Sequence, residues 1–209
     1  MGERAGSLPL VGGELCLDFC NTTSGRGSPD VIEHLDDYGD VLRWAAHAGV
    51  MPQDAVAGIR FSLGDAEKMR LLRRTLDTRE AVRAVLEPIA KGTRPSGEAL
   101  RSFNVLVTRA YAGARIVEDG SRLAWRFPSP DAAPDALMGA IVRSAATVAT
   151  ERDPARLKIC PGRGCGWLFY DMTKNGGRVW CEMQVCGSRA KAYARYRQMR
   201  ARREAADEI

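Results

Sequence analysis

Residues 160–203 read CPGRGCGWLFYDMTKNGGRVWCEMQVCGSRAKAYARYRQMRARR. Cys160 and Cys165 form one pair and Cys181 and Cys186 another; each pair encloses four residues, and fifteen residues separate the pairs. Two cysteine pairs around an intervening loop are a common way to deliver four thiolates to one tetrahedral ion. Zinc is the expected ion, and a closed four-cysteine site is structural and not catalytic. The spacing therefore predicts one structural Zn²⁺ bound by these four cysteines.

The same four cysteines admit two other interpretations, namely reduced thiols in a core or two disulfides. The chain opens with no charged segment followed by an apolar run, so we expect no secretory signal. A protein that stays in the cytoplasm keeps its thiols reduced, which disfavours disulfides and leaves the cysteines free to bind metal. Metal binding is therefore the favoured interpretation.

The residues beside the cysteines fit a metal site. Each short cysteine loop must turn sharply, and we expect four neighbouring glycines to supply the backbone freedom: Gly162, Gly164, Gly166 and Gly187. Four thiolates and one Zn²⁺ carry a net negative charge, which three arginines adjacent in sequence would offset: Arg163, Arg178 and Arg189.

Between the two cysteine pairs, apolar residues flank a polar turn. Residues 167–169 precede the turn, residues 179–180 follow it, and the turn contains Asn175-Gly176. Asn-Gly between apolar runs is a strong hairpin signal. The sequence therefore predicts a knuckle, a hairpin, a second knuckle and a helix, in that order.

The predicted helix after Cys186 is basic. Residues 188–203 contain no acidic residue, and their alanines favour helix. At about 100° per residue, these residues form three strips along the helix. One basic stripe includes two tyrosines and consists of Arg189, Tyr193, Tyr196, Arg200 and Arg203, and a second basic stripe consists of Lys191, Arg195 and Arg202. An alanine strip lies between them and consists of Ala190, Ala194 and Ala201. A narrow strip between two basic stripes would let the helix approach a phosphate backbone closely.

A run of positive charge is often only a solvated helix face. Here, however, residues 160–203 hold ten Lys/Arg and two Asp/Glu, whereas residues 1–159 hold twenty-one of each. Such concentration of charge is typical of nucleic-acid binding. We therefore expect double-stranded DNA as partner and the following residues to contact it: Arg178, Ser188, Arg189, Lys191, Arg195, Arg197, Arg200, Arg202 and Arg203.

This segment resembles the CGNR zinc finger. The resemblance rests on the four cysteines together with residues 166–169, Arg178, Trp180, Met183 and residues 187–192. It implies an N-terminal ABATE domain and a stress-induced bacterial transcription regulator. Ser188 stands where the family has the Asn of its name. If that residue caps the helix, Ser serves nearly as well; if it touches DNA, the shorter Ser loses reach.

The bulk properties are those of a soluble protein. The chain has 209 residues, of which 45% are hydrophobic, enough for a sizeable core. No apolar run approaches the length needed to cross a bilayer, so we expect no membrane partner and a cytoplasmic, nucleoid-associated protein. We expect residues 1–156 to form a helical sensor or dimerisation domain and residues 157–209 to form the zinc finger, with a homodimer as the assembly.

Residues 8–22, LPLVGGELCLDFCNT, are either a strand or the start of a buried helix, because short apolar runs do not distinguish the two. Cys16 and Cys20 are interpreted as core residues. This segment resembles the opening motif of the ABATE domain. Its polar residues either tie down nearby backbone, which is favoured, or line a small-molecule pocket together with a tryptophan that is otherwise edge-packed: Asp18, Asn21, Thr22 and Trp44.

The rest of the N-terminal part is predicted to be helical. Apolar residues recur at helical spacing from Glu33 to Gly49, from Asp65 to about Pro88, from Ser96 to Ala110 and from Pro134 to Val148. Met69 and Leu100 belong to these predicted inner faces. Residues 114–127 change to the alternation of a β-hairpin around Asp119-Gly120.

The predicted fold class is mostly α, with a helical N-terminal domain, a small β-hairpin and a small C-terminal four-cysteine zinc finger. The leading functional interpretation is a zinc-dependent DNA-binding transcription regulator whose N-terminal domain senses a small molecule. The alternatives are a finger that binds a protein or RNA, and an enzyme domain tethered by the finger. We expect no enzyme, because residues 1–159 offer no nucleophile paired with a base.

Overall fold

The computed structural model describes residues 5–129 and 134–207. Seven α-helices and six short strands are present in these ranges: α1 (Leu15–Cys20), β1 (Thr23–Ser24), β2 (Ile32–Glu33), α2 (Tyr38–His47), α3 (Ala55–Ser62), α4 (Asp65–Ala90), α5 (Gly97–Tyr111), β3 (Arg115–Asp119), β4 (Arg122–Arg126), α6 (Pro134–Thr150), β5 (Leu157–Ile159), β6 (Leu168–Tyr170) and α7 (Ser188–Asp207). The fold is mostly α, as predicted. We call the described residues up to 152 the body and residues 157–207 the finger.

Helix α1 lies at the centre of the body. Its segment forms a helix and not a strand, because it is enclosed by α4, α6 and β6, and a helix satisfies its own backbone groups there. Cys16 and Cys20 are fully buried, as predicted for core residues. Burial raises the pKa of the Cys20 thiol to about 12 and raises that of Cys16 as well. Both thiols therefore stay protonated and unreactive.

Helix α2 begins at Tyr38, later than Glu33, where the sequence pattern placed its start. Asp37 caps the helix by accepting a hydrogen bond from the Asp40 N–H at 2.7 Å, while the Asp40 carboxylate accepts from the Asp37 N–H. This reciprocal capping box fixes the helix start. Trp44 is not edge-packed: it is fully buried against Phe19, with ring centroids 5.2 Å apart.

The body is a helical bundle in which the long α4 packs against α1, α2, α5 and α6. Pro88 lies in the last turn of α4, which ends two residues later. The predictions that Met69 and Leu100 lie on inner helix faces are wrong, because their side chains are 68% and 42% exposed. Both lie near the beginnings of their helices, where the neighbouring helices no longer cover the predicted stripe. Among the described helices, none has the length and apolar character needed to span a bilayer.

Strands β3 and β4 form the hairpin predicted around Asp119-Gly120. Asp119 pairs with Arg122 across the loop residues Gly120 and Ser121, and Gly120 has a φ of +61°, which favours glycine. The apolar side chains of Ile116, Leu123 and Trp125 share one face of the hairpin and are exposed.

The finger contains a hairpin, but not the one predicted. Strand β6 pairs antiparallel with β5, which precedes the first cysteine, and Leu157 lies opposite Tyr170. Residues 179–180 are not a strand, and Asn175-Gly176 lies in an ordinary turn. The prediction failed because both edges of β6 are occupied. Strand β5 pairs along one edge, and on the other the Tyr170 N–H donates to the Gly12 carbonyl while Leu168 bonds to the Asn21 amide.

The core of the body continues into the finger. Leu157, Leu168 and Tyr170 are buried in the same apolar cluster as α1, α2 and α6. A smaller cluster surrounds the cysteines and contains Phe169, with Val11 of the body packed against it. The predicted boundary near residue 156 therefore separates two sequence segments that share one packed core.

Candidate metal centre and nucleic-acid interface

The four predicted cysteines come together in one cluster. All four Sγ atoms lie within 4.8 Å of one another, and Cys165 to Cys181 and Cys181 to Cys186 measure 3.7 Å and 3.6 Å. A tetrahedral ion bonded to sulfur at about 2.3 Å places its ligands about 3.8 Å apart. A disulfide would need sulfurs about 2.05 Å apart. The geometry therefore fits four ligands of one metal ion and excludes paired disulfides.

The first knuckle, residues 160–165, forms the loop of the β5–β6 hairpin. The Cys160 N–H donates to the Trp167 carbonyl at 2.8 Å, and the Cys165 N–H donates to the Gly162 carbonyl at 2.8 Å. Gly164 and Gly166 have positive φ angles of 73° and 68°, so backbone freedom is required there. A Cβ on Gly162 would instead lie 3.0 Å from the Cys186 sulfur, so this glycine is required for space.

The second knuckle, residues 181–186, ends in a single turn of π-helix from Met183 to Gly187. The Cys186 N–H donates to the Glu182 carbonyl at 2.9 Å, which turns the Cys186 sulfur back toward Cys181. A Cβ on Gly187 would overlap the Met183 side chain and lie 3.1 Å from Trp180. The wide turn therefore brings Cys186 to the other three cysteines and leads directly into α7.

A buried ion pair that the sequence did not reveal holds the loop between the knuckles. The Lys158 ammonium contacts the Asp171 carboxylate at 2.7 Å and also donates to the carbonyls of Gly176 and Arg178. Burial by itself would raise the pKa of Asp171, but Lys158, the Thr173 hydroxyl and two backbone N–H groups lower it well below its usual range. This network replaces the predicted second strand pair.

Arg178 is not placed to contact DNA. Its guanidinium donates to the carbonyls of Trp180, Cys181 and Val11, and it stacks over Phe169 at 4.5 Å. These contacts tie the second knuckle to the body. We therefore reassign Arg178 from the predicted DNA-binding set to the support of the metal centre.

Ser188 does not cap α7, which corrects one of the two roles considered for it. The helical backbone already begins at Met183, and Ser188 has helical φ and ψ of −66° and −42°. Its hydroxyl donates to the Met183 carbonyl at 3.3 Å, and the residue is exposed. Capping fails because the π turn continues without interruption into α7, so the position is inside the helix.

Helix α7 extends away from the rest of the molecule. Every residue from Lys191 to Arg200 is exposed, and the π turn is the main packing partner of α7 among the described elements. The exposed side chains include five basic residues of the predicted DNA-binding set: Arg189, Lys191, Arg195, Arg197 and Arg203. A sixth, Arg200, pairs with Glu204 at 2.7 Å. The side chain of Arg202 lies outside the described residues. Most of the predicted DNA-binding set therefore stands on one accessible helix.

Two family models match the chain. The first, described as "Putative stress-induced transcription regulator" and named ABATE, matches residues 13–152, about two thirds of the chain. The chain belongs to the ABATE family. The second, the CGNR zinc finger, matches residues 156–203 and includes all four cysteines. Among curated proteins, none matches the sequence significantly.

The ABATE residues considered for a ligand pocket are bonded to their own chain. The Asn21 amide donates to the Leu168 carbonyl at 2.8 Å and accepts from the Leu168 N–H at 2.9 Å. Thr22 bonds to the Phe19 carbonyl and the Arg79 guanidinium, and Asp18 accepts from the Gly12 N–H at 2.7 Å. Neither they nor Trp44 line the cavity between α4, α5 and α6 or the cavity beside the first knuckle. Their geometry is that of the backbone-bonding alternative.

A loop of the ABATE body reaches the CGNR finger, which the sequence did not indicate. Gly27, between β1 and β2, forms an antiparallel bridge with Gly164 of the first knuckle. The Trp167 indole donates to the Thr23 carbonyl at 3.1 Å, and Arg83 donates to the Gly166 carbonyl at 2.9 Å. The glycines of residues 24–30, SGRGSPD, were the available signal for this contact, because a backbone without side chains permits such close approach.

A cavity of about 1190 Å³ opens between this loop and the beginning of α7. Its walls come from three regions: residues 24–32 of the body, both knuckles, and the first two turns of α7. Arg163 stacks over Tyr193 at 5.3 Å along one wall. We call this space the junction cleft. It joins the body, the metal centre and the basic helix at one place.

Proposed function

We propose that the protein is a zinc-dependent, DNA-binding transcription regulator in which α7 contacts the DNA. The observation that carries the proposal is that the four cysteines converge at the base of an exposed helix that carries most of the excess positive charge. A metal bound there fixes the direction of α7 relative to the body. A rigid basic helix can then follow a phosphate backbone without first being ordered.

Zinc is the proposed ion because the site offers sulfur ligands alone. Thiolates select soft or borderline ions, and zinc accepts a closed tetrahedral set without redox chemistry. Elemental analysis of protein purified without added metal tests this assignment. We expect one zinc per chain; a chain that purifies with a stoichiometric iron–sulfur cluster would contradict it.

The proposed DNA-facing stripe is the one that points away from the junction cleft. Arg189 and Tyr193 line the cleft, and at about 100° per residue Lys191 and Arg195 lie on the opposite side of the helix. That side carries no acidic residue before Glu204. We therefore propose that Lys191 and Arg195 contact phosphates and that the cleft side remains available to the body.

Fluorescence anisotropy of labelled duplex DNA across a salt series is the direct test. We expect affinity to fall steeply with salt, because each phosphate contact releases condensed counterions. Binding that is absent at low salt, or that does not change with salt, would overturn the proposal.

RNA is a second candidate partner because Tyr193 and Tyr196 are 49% and 60% exposed on α7. Exposed aromatic rings can stack on unpaired bases. Competition of single-stranded RNA against the labelled duplex distinguishes the two candidates. Preferential displacement by RNA, lost in Tyr196→Ala, would favour the RNA function.

We propose that the ABATE body is a non-enzymatic sensor and that its effector binds in the junction cleft. The cleft borders both the body loop and the base of α7, so an occupant would change their separation. Its lining combines the aromatic rings of Trp167 and Tyr193 with charges of both signs, namely Arg163, Arg189, Asp30 and Glu182, and this suits an aromatic ligand with a polar group. The fluorescent probe 8-anilino-1-naphthalenesulfonate tests the site: Tyr193→Ala should reduce its fluorescence enhancement, whereas Tyr196→Ala, on the same helix but outside the cleft lining, should not.

A further inference from the structure

The β3–β4 hairpin exposes a patch of large apolar side chains in the described structure. Ile116, Leu123 and Trp125 are 59%, 72% and 60% exposed. The strand register places all three on one face, because Ile116 pairs with Trp125 and Leu123 with Glu118. Contiguous exposed apolar side chains of this size commonly mark a surface that binds another molecule.

The same hairpin has unpaired strand edges. Within residues 5–129 and 134–207, the sheet consists only of β3 and β4. Since Asp119 and Arg122 pair across a two-residue loop, alternation directs the backbone groups of Ile116 and Glu118 to the outer edge of β3. An edge with free N–H and C=O groups accepts another strand.

We propose that this edge binds a second copy of the chain, β3 to β3, in antiparallel register about a two-fold axis at Val117. The strand sequence Arg115-Ile116-Val117-Glu118-Asp119 carries opposite charges at its two ends. In that register Arg115 of each copy lies opposite Asp119 of the other, which gives two ion pairs per dimer. Neither side chain has an ion-pair partner among the described residues.

The charges of β4 disfavour pairing at the alternative edge. A β4–β4 pair centred on Ala124 would place Arg122 of each copy opposite Arg126 of the other. Like charges directly opposite each other destabilise a strand pair. The β3 and β4 edges therefore differ in how well each can pair with the same edge of a second copy, and the difference favours β3.

The β3 register also accounts for part of the apolar patch. Val117 of the two copies would meet on one face, and the two Ile116 side chains would lie diagonally across the axis on the other, each beside its own Trp125. Strands of five residues bury less than a standard interface of about 1,600 Å². We therefore expect a dimer that dissociates on dilution. Each copy would contribute one α7 helix to this dimer.

Sedimentation of the metal-loaded full-length chain over a dilution series tests the proposal. Arg115→Glu and Asp119→Arg should each weaken dimerisation about tenfold or more, because two cross-strand pairs change from attraction to repulsion. An equal mixture of these two variants should dimerise again, because the mixed pair restores opposite charges at both contacts. Only direct pairing of β3 between chains produces this rescue.

The folding of each variant is checked separately from its dimerisation. The glutamate introduced by Arg115→Glu would lie opposite Arg126 within its own hairpin, a favourable pair, so loss of the dimer in this variant does not reflect a weakened hairpin. Arg101→Glu, at an exposed position of α5 outside the hairpin, is the matched control and should leave dimerisation within about twofold of wild type. A monomer throughout the dilution series, a dimer insensitive to the charge changes, failure of the mixture to dimerise, or equal weakening of the dimer by Arg101→Glu would each overturn the proposal. DNA binding is a separate measurement and does not affect this result.

Discussion

Asp18 shows at the scale of one residue how burial couples stability to pH. Burial raises its pKa from 3.8 to about 6, against the opposing effects of the Gly12 N–H and the Arg178 charge. Between these two values the folded protein binds a proton that the unfolded chain has released. The stability contributed by the neutral carboxyl is therefore complete below the ordinary pKa and is lost as pH rises through about 6.

Asp18→Asn should remove this pH dependence, because Asn keeps an oxygen that accepts from Gly12 but does not ionise. From about pH 5 to about pH 7, the unfolding free energy of wild type should fall by about 1 kcal/mol relative to the variant. Urea unfolding of both proteins at each pH measures the difference, and taking the difference cancels the pH dependence of metal binding. Parallel stability profiles would contradict the raised pKa.

Asn21 joins the body to the finger through one buried amide. Asn21→Ala would leave both the N–H and the C=O of Leu168 without their partner in a region closed to water. We expect a loss of roughly 2–4 kcal/mol, since each buried unpaired group costs about 1–3 kcal/mol. Urea unfolding measures it, with Asn104→Ala at an exposed position of α5 as the control. A loss as small as that of the control would mean that water replaces the amide.

At the scale of elements, α7 is a helix that exposes most of its basic side chains to solvent. Arg195→Glu should leave the fold unchanged, because the residue is exposed, and should weaken duplex DNA binding on the order of tenfold with a shallower salt dependence. Arg101→Glu, an exposed position on α5, makes the same change of net charge elsewhere. Equal weakening by both variants would show that only the total charge matters and that α7 is not the contact surface.

The finger hairpin shows where reasoning from local sequence fails. Asn175-Gly176 is a turn, as its residues indicate, but a turn becomes a hairpin only if the flanking segments pair. Here β6 pairs with β5, and Lys158 with Asp171 holds the turn from inside. The choice between the two partners of β6 depends on packing against α1 and α4, which no short stretch of sequence encodes.

At the scale of the whole molecule, the metal centre and the body are expected to be coupled. Leu157, Leu168 and Tyr170 lie in the core cluster of the body, and β5 and β6 are joined by the first knuckle. Metal binding contributes about 10–16 kcal/mol in isolated zinc-finger peptides. Loss of the metal should therefore affect more than the finger. It should loosen β6 and expose the neighbouring α1 of the body.

Cys181→Ser or chelation should increase hydrogen exchange at the amides of α1, which packs against β6. The β3–β4 hairpin, which shares no core residue with the finger, serves as the internal control and should keep its exchange rate. Unchanged protection of α1 after complete metal removal would show that the body is independent of the finger.

The sequence by itself determined the four ligands, the basic helix and the helical periods of the body. These depend on local properties, namely the spacing of cysteines, the sign of charges and the repeat of apolar residues along a helix. Only the tertiary structure decided that Arg178 supports the knuckle, that Ser188 lies inside a helix, and that Asn21 and Thr22 bond to backbone. Each of these roles depends on a partner distant in the sequence, and which distant groups meet is fixed by how the whole core packs.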